Sequence, residues 1–409
     1  MPIEAKDRTV LRDLAQQLAE AAAQPVMDER RAMWKRHNRL ERVRPLVMVF
    51  PEGSWRELLP QSALICEGER AREIEWHLRL RLFYRDVIPD DSVIEAEWIV
   101  PMAIGDTGWG IEGKQKPSAQ AEGAWAFDPV ITKPSDLDKL HFPEVHYDHD
   151  ETQRRYREMR DLLGDILDVK LKGIAHISFH LLYLYTRWRG LEQVMLDMYE
   201  EPQMLHDAMA FLEEGHHRLV KQYQDMGLFS LNNDATYQST GGFGYTTELP
   251  LEGHYPNRIT PADMWASAEA QEFAAVSPEM HEEFALQYER RLLAPFGLNG
   301  YGCCEDLTGK LDLVLTIPNI RRISISPFAD VERCAERLGS KAIFSWKPHP
   351  SHLVGDFNPA QIRDYIRHTL EVTRGCIVEM SLKDTHTCEH RPERFTQWTQ
   401  IARDLAEDY

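Results

Sequence analysis

The stretch Asn299-Gly300-Tyr301-Gly302-Cys303-Cys304-Glu305 places two adjacent thiols and a carboxylate where an apolar run ends. A second thiol cluster, Lys383-Asp384-Thr385-His386-Thr387-Cys388-Glu389-His390, follows another apolar run, 376–382. Thiolates with carboxylate or imidazole neighbours hold soft metals, and a soft metal held by cysteine is the natural reading. If both runs are strands of one parallel barrel, the two clusters open onto the same C-terminal rim, where such folds place their chemistry. The bland alternative for any free cysteine near a strand end is a small buried hydrophobe. Cys66, Cys334 and Cys376 fit it, each sitting in an apolar pattern without a chemical partner. Cys303, Cys304 and Cys388 keep His, Asp, Glu and Lys beside them and are the candidates for metal binding or catalysis. The chain has no CxxC pair.

The elements that must position these groups are legible as alternating runs. Apolar stretches at 46–50, 92–100, 169–177, 228–232, 298–303, 322–326, 342–346 and 376–382 read as strands, with helical patterns between them. Eight such units predict an α/β fold, a (β/α)8 TIM barrel, over residues 45–409. Proline stands at the first helical position in Glu201-Pro202, Thr260-Pro261, Ser277-Pro278 and Asn358-Pro359, where its missing N–H costs nothing. Residues 1–44 read as an N-terminal helical extension, with Val10, Leu11, Leu14, Leu18 and Ala22 at helical spacing. Such an extension packs under a barrel or against a second subunit, the latter making a homodimer. Two long connections, 105–147 and 234–258, are rich in glycine and aromatic residues and are expected to wall the mouth.

With this register a polar ring closes the rim. It takes in Glu52 after the first strand, His176 and His180 around the third, and Asn232, Asn233 and Asp234 after the fourth. Cys303, Cys304 and Glu305 follow the fifth, Ser326 the sixth, and Lys347 and His349 the seventh. Lys383, Asp384, His386 and Cys388 follow the last. His176, within a strand, reads equally as a hydrogen-bonded core histidine.

Composition narrows the setting. With 409 residues and 43% hydrophobic content the chain can bury a large core. Six cysteines in such a length do not make a disulfide framework, which favours a reducing cytoplasm. No apolar run is long enough to cross a bilayer and the first residues lack a secretory pattern, so a membrane partner is not expected. A net charge of −19 opposes phosphate backbones, which argues against nucleic acid.

From about residue 260 onward the sequence resembles the uroporphyrinogen decarboxylase superfamily, and more closely its cobalamin-dependent methyltransferase branch. In that branch a Ser-Pro-Glu helix start leads to a strand ending in His-x-Cys-Gly; here Ser277-Pro278-Glu279 leads to Tyr301-Gly302-Cys303-Cys304. The branch follows its last strand with Cys-Gly-x-x-Pro, and Cys388-Glu389-His390-Arg391-Pro392 keeps the cysteine-to-proline spacing. The resemblance implies that Cys303 and Cys388 bind zinc. Tyr301 stands in place of the histidine ligand, so a third ligand would come from Glu305, His349, His386 or Cys304.

It further implies a methyltransferase that passes a methyl group between a small substrate and a corrinoid (cobalamin) carried by a partner protein docked on the long loops. Zinc would act as Lewis acid or thiolate stabiliser. Tyr301, Lys347, Lys383 and Asp384 would serve the chemistry, and Glu52, His176, Asn233 and Asp234 the substrate. The first strand region, Arg44 to Gly53, lacks the arginine and glycine-rich segment of the decarboxylases. A metal-independent lyase or decarboxylase using Asp234, Lys347 and His349, or a non-catalytic barrel, are the alternatives.

Overall fold

The structure, a computed structural model, describes residues 3–116, 126–254 and 258–409. Nine strands position the site: β1 Leu46–Val49, β2 Glu97–Pro101, β3 Asp168–Lys172, β4 Ser178–Phe179, β5 Trp265–Ala268, β6 Leu298–Tyr301, β7 Ile320–Ile325, β8 Ile343–Trp346 and β9 Ile377–Leu382. Seven of them form one parallel sheet in the order β1-β9-β8-β7-β6-β5-β4. β2 pairs in parallel with β3 as a separate two-stranded sheet. Since β3 and β4 lie in one stretch, that stretch touches β2 at one end and β5 at the other.

No ladder joins β1 to β2 among the described residues. The backbone N–H groups of Val47 and Val49 donate instead to the carboxylates of Asp91 (2.8 Å) and Asp90 (3.0 Å).

The alternation along the strands is polar inward and apolar outward. Val47, Ile323, Ile325, Phe344, Trp346, Val378, Met380 and Leu382 face the surrounding helices in the main core. Arg322, Ser345 and Glu379 face each other across the interior, with Lys347 beside them. Both faces are buried, so the inner groups must find partners within the protein. Arg322 Nε donates to Glu379 at 2.9 Å, Ser345 Oγ at 2.5 Å and His37 Nε2 at 3.0 Å. Burial alone would raise the Glu379 carboxyl, but Arg322, His37 and Lys347 hold it well below the ordinary carboxylate range.

The N-terminal helices are part of this packing. α1, Ala5–Ala22, lays Leu11, Leu14 and Leu18 on the helix Glu69–Asp86 in a second core. α2, Pro25–Asn38, sends His37 to Glu379 and Asn38 to Arg322 at 2.6 Å.

The structure departs from the sequence expectation in four places. The run 228–232 makes only an isolated bridge, Ile174 to Phe229. The position beside β4 belongs to β5, whose Trp-Ala-Ser-Ala sequence carries no strand signature. The reason is Asn232: its amide donates to the carbonyls of Ala175 (2.8 Å) and Trp265 (2.9 Å) and accepts from Trp265 N (2.9 Å), so a side chain stands in for a ladder.

The expected strand 92–100 is confined to Glu97–Pro101. The connection 105–147 is no plain loop. It carries the antiparallel pairs of Ala103–Asp106 with Val145–Asp148 and of Lys114–Lys116 with Ala126–Asp128, while 117–125 lie outside the described residues. The described part of 234–258, without 255–257, does lack helix and strand. It does not wall a mouth throughout, because Gly241 and Gly242 descend into the interior. A Cβ on Gly241 would lie 2.0 Å from Ser345 Oγ, and one on Gly242 2.2 Å from an Arg322 nitrogen. All four prolines expected at helix starts stand there.

Candidate active site

Cys303 reaches its position because Gly302, at φ +90°, turns the chain sharply after β6, a conformation that glycine adopts without strain. The turn is clamped by Glu305, whose buried carboxylate accepts from Cys303 N at 2.8 Å and from Ala270 N at 3.3 Å. Ser324 Oγ on β7 donates to the Cys303 carbonyl at 2.6 Å. Glu305 therefore serves the backbone, and burial with Glu269 beside it raises its carboxyl.

Two side chains contact the Cys303 sulfur directly. Cys304 Sγ lies 3.5 Å away, and Lys383 Nζ, from the end of β9, donates at 3.5 Å. Cys304 in turn donates to Asp384 Oδ2 at 3.4 Å. The Cys304 hydrogen bond first, and then the Lys383 charge, pull the Cys303 thiol down to about 7 against burial. Cys304 is pushed up by the neighbouring Cys303 and by burial. The environment thus favours the thiolate at Cys303, with the single Cys304 S–H placed between that sulfur and Asp384 Oδ2. Burial works against the Lys383 charge, but Tyr237, Cys303 and Asp384 more than offset it.

The backbone around Lys383 and Asp384 is strained. Asp384 (φ +58°) and Glu52 (φ +44°) both occupy the left-handed region, and Asp384 N donates to Glu52 Oε2 at 2.7 Å. Two such residues in mutual contact cost on the order of 1–3 kcal/mol each, and strain of this kind clusters at functional sites.

Opposite stands a dyad that sequence reading only half found. His180 Nδ1 pairs at 2.5 Å with Glu269, the residue that follows β5. Burial lowers the imidazole, yet Glu269, Cys303 and Glu272 raise it above its ordinary value. Glu269 was invisible because β5 was; the only signal was an isolated carboxylate within Ala268-Glu269-Ala270.

Other expected residues sit elsewhere. Tyr301 does not line the mouth: it is fully buried, donates to Glu289 at 2.7 Å and pairs with His281 at 2.7 Å. The period of two along β6 turns it toward the helices. Lys347 is buried in the interior against the Thr240 carbonyl and Ser345, and burial lowers it to about 7. Asn233 donates to the Leu249 carbonyl at 2.7 Å, and Asp234 pairs with Lys172 at 2.6 Å. Asp234, Lys172 and His176 line a separate cleft of about 370 Å³. The exposed His176 also contacts Ser239 Oγ at 2.5 Å.

Of the donors expected for zinc, Cys303, Cys304 and Glu305 stand together, while Cys388, His349 and His386 have other partners. Cys388 is buried and donates to Glu57 Oε2 at 3.3 Å, and burial with Glu57 pushes its thiol up to about 11. His349 bonds Ser351 Oγ at 2.7 Å, and the exposed His386 lies against Gly53. Among the described residues no group of three His, Cys, Asp or Glu side chains is arranged to hold a metal ion. No helix there is long and apolar enough to cross a membrane.

No protein-family profile matches the sequence, and no curated protein sequence does. Among solved structures, a methyltransferase from Methanosarcina mazei is similar with a TM-score of 0.50 at 10% identity, over 90% of this chain and 96% of that one. At such identity the likeness is one of fold. That fold is an α/β one built on a central parallel sheet, and in this chain the thiol pair follows the C-terminal end of β6.

Proposed function

We propose that this chain is a methyl-transferring enzyme working through the Cys303 thiolate, on a barrel of eight staves closed between β1 and β2 by Asp90 and Asp91. The observation that carries the reading is the thiolate pair of Cys303 with Lys383 at the C-terminal end of the parallel sheet, in a fold shared with a methyltransferase. The thiolate attacks the methyl carbon of a small donor CH3–X, the S–C bond forms as the C–X bond breaks, and the electron pair leaves with X. His180, held at Nδ1 by Glu269, protonates X where X is a poor leaving group. A second displacement hands the methyl on, and Lys383 and Cys304 stabilise the thiolate that is released. A corrinoid on a separate protein is the expected second substrate at this mouth.

The test incubates the protein with methoxylated aromatics, methylamines and methyl thiols, and reads the mass of the peptide holding Cys303 and the methylation of reduced cobalamin. A methyl on Cys303, absent in Cys303→Ser, supports the reading. Carbon dioxide release from a carboxylated substrate, with no methyl transfer from any donor, would sink it. Lys347 does not favour that alternative, since its amine is held by Thr240 and Ser345.

A further inference from the structure

Cys303 and Cys304 are partly exposed, whereas the other four cysteines are buried. Their sulfurs are 3.5 Å apart, so a disulfide bond of about 2.05 Å requires an approach of about 1.5 Å. The segment is neither helix nor strand, and Cys303 N and its carbonyl are held by the side chains of Glu305 and Ser324. It can therefore adjust without breaking a sheet ladder. Lys383 favours the anionic form of one sulfur, while Asp384 accepts from the other. The first arrangement promotes attack on an oxidant; the second offers a nearby base for the resolving thiol.

We propose that a hydroperoxide oxidises this pair to a vicinal disulfide, which withdraws Cys303 from use until a dithiol restores it. The Cys303 sulfur attacks the hydroperoxide; the S–O bond forms, the O–O bond breaks, and the leaving oxygen departs with the electron pair and takes up a proton. Cys304 then gives up its proton and attacks the Cys303 sulfur. The S–S bond forms, the S–O bond breaks, and water leaves. Two thiols are oxidised by two electrons and one hydroperoxide is reduced to water and an alcohol, or to two waters from hydrogen peroxide. Adjacent Cα atoms lie about 3.8 Å apart, below the usual disulfide range of about 4.4–6.8 Å, and bridges outside that range are the readily reduced ones. A reversible block, not a structural cross-link, is the expected result.

This regulation of the methyl-transfer site rests on that reading for its consequence, but the bridge itself is measured without any methyl donor. The full chain is treated with hydrogen peroxide, then dimedone, and its thiols are counted after denaturation. Wild type should fall from six thiols to four, with the Cys303–Cys304 peptide lighter by two hydrogens and free of dimedone, and dithiothreitol should restore all six. Cys304→Ser should instead trap dimedone on Cys303. Dimedone or sulfinate on Cys303 of wild type, with Cys304 still alkylatable, would overturn the proposal, as would a bridge to any other cysteine. Bridge formation in a protein that transfers no methyl would reject only the functional reading.

Discussion

At Cys303 the competition is between burial, which disfavours the thiolate, and the Cys304 hydrogen bond with the Lys383 charge, which favour it. The latter prevail, giving a value of about 7. Alkylation of Cys303 by iodoacetamide should therefore rise to half its maximum near pH 7, and Lys383→Met should move that midpoint upward. The titratable groups around the sulfur are Cys304, Lys383, Glu269, Glu305, His180, Tyr237 and Lys347. A midpoint unchanged by Lys383→Met would contradict the pairing. Tyr301 illustrates the opposite case. Its hydroxyl serves a buried pair, Glu289 and His281, so Tyr301→Phe should cost about 1–3 kcal/mol of stability by leaving buried polar groups unpaired. Cys303 alkylation should be unaffected, and a large loss of reactivity with unchanged stability would place Tyr301 at the mouth after all.

Two connecting elements carry unusual burdens. The strap through Gly241 and Gly242 fills the interior, and Gly242 combines φ +62° with a guanidinium 2.2 Å from where a Cβ would stand. Gly242→Ala should lose at least about 2 kcal/mol, from left-handed strain and the clash together, as urea melts would register. An unchanged midpoint would mean that the strap lies elsewhere. The segment after β9 is tied down by Glu57, which accepts from the backbone N–H of Cys388 and His390 at 3.0 Å each. Burial raises this carboxyl, but bonds from Thr387, His390 and Cys388 outweigh it and bring it from 4.5 to about 2. A depressed carboxyl contributes stability that is whole above pH 4.5 and disappears as pH falls toward 2. Glu57→Gln should be less stable than wild type at pH 6, with the gap closing by pH 2. A gap that persisted at pH 2 would assign the loss to something other than this carboxylate.

Across the molecule, the interior charges join α2 to the sheet. Arg322 and Glu379 are fully buried, and removing one partner leaves the other uncompensated, which costs about 3–5 kcal/mol. Glu379→Gln should show a loss of that size, and Arg322→Met combined with Glu379→Met should recover part of it. His37 and Asn38 enter the same network from α2, so unfolding of the N-terminal helices and of the sheet should be one cooperative event. Separate transitions for Trp34 and Trp346 fluorescence would reject that coupling.

Local patterning determined much of this protein by itself. The alternation in Arg322-Ile323-Ser324-Ile325 and Glu379-Met380-Ser381-Leu382 specifies strands with one polar and one apolar face, and proline at four helix starts specifies those boundaries. The vicinal thiols at a strand end were likewise legible as chemistry, because residue type and position after an apolar run need only local information. Tertiary structure decided what depends on partners distant in sequence. β5 is a strand because β4 and β6 flank it, not because Trp-Ala-Ser-Ala prefers extension. Cys388 and Cys303 looked equivalent along the chain, yet Glu57 claims one and Lys383 the other, from segments 331 and 80 residues away. Glu269 joins the site only because parallel strands align their C-terminal ends, which no single stretch of sequence encodes.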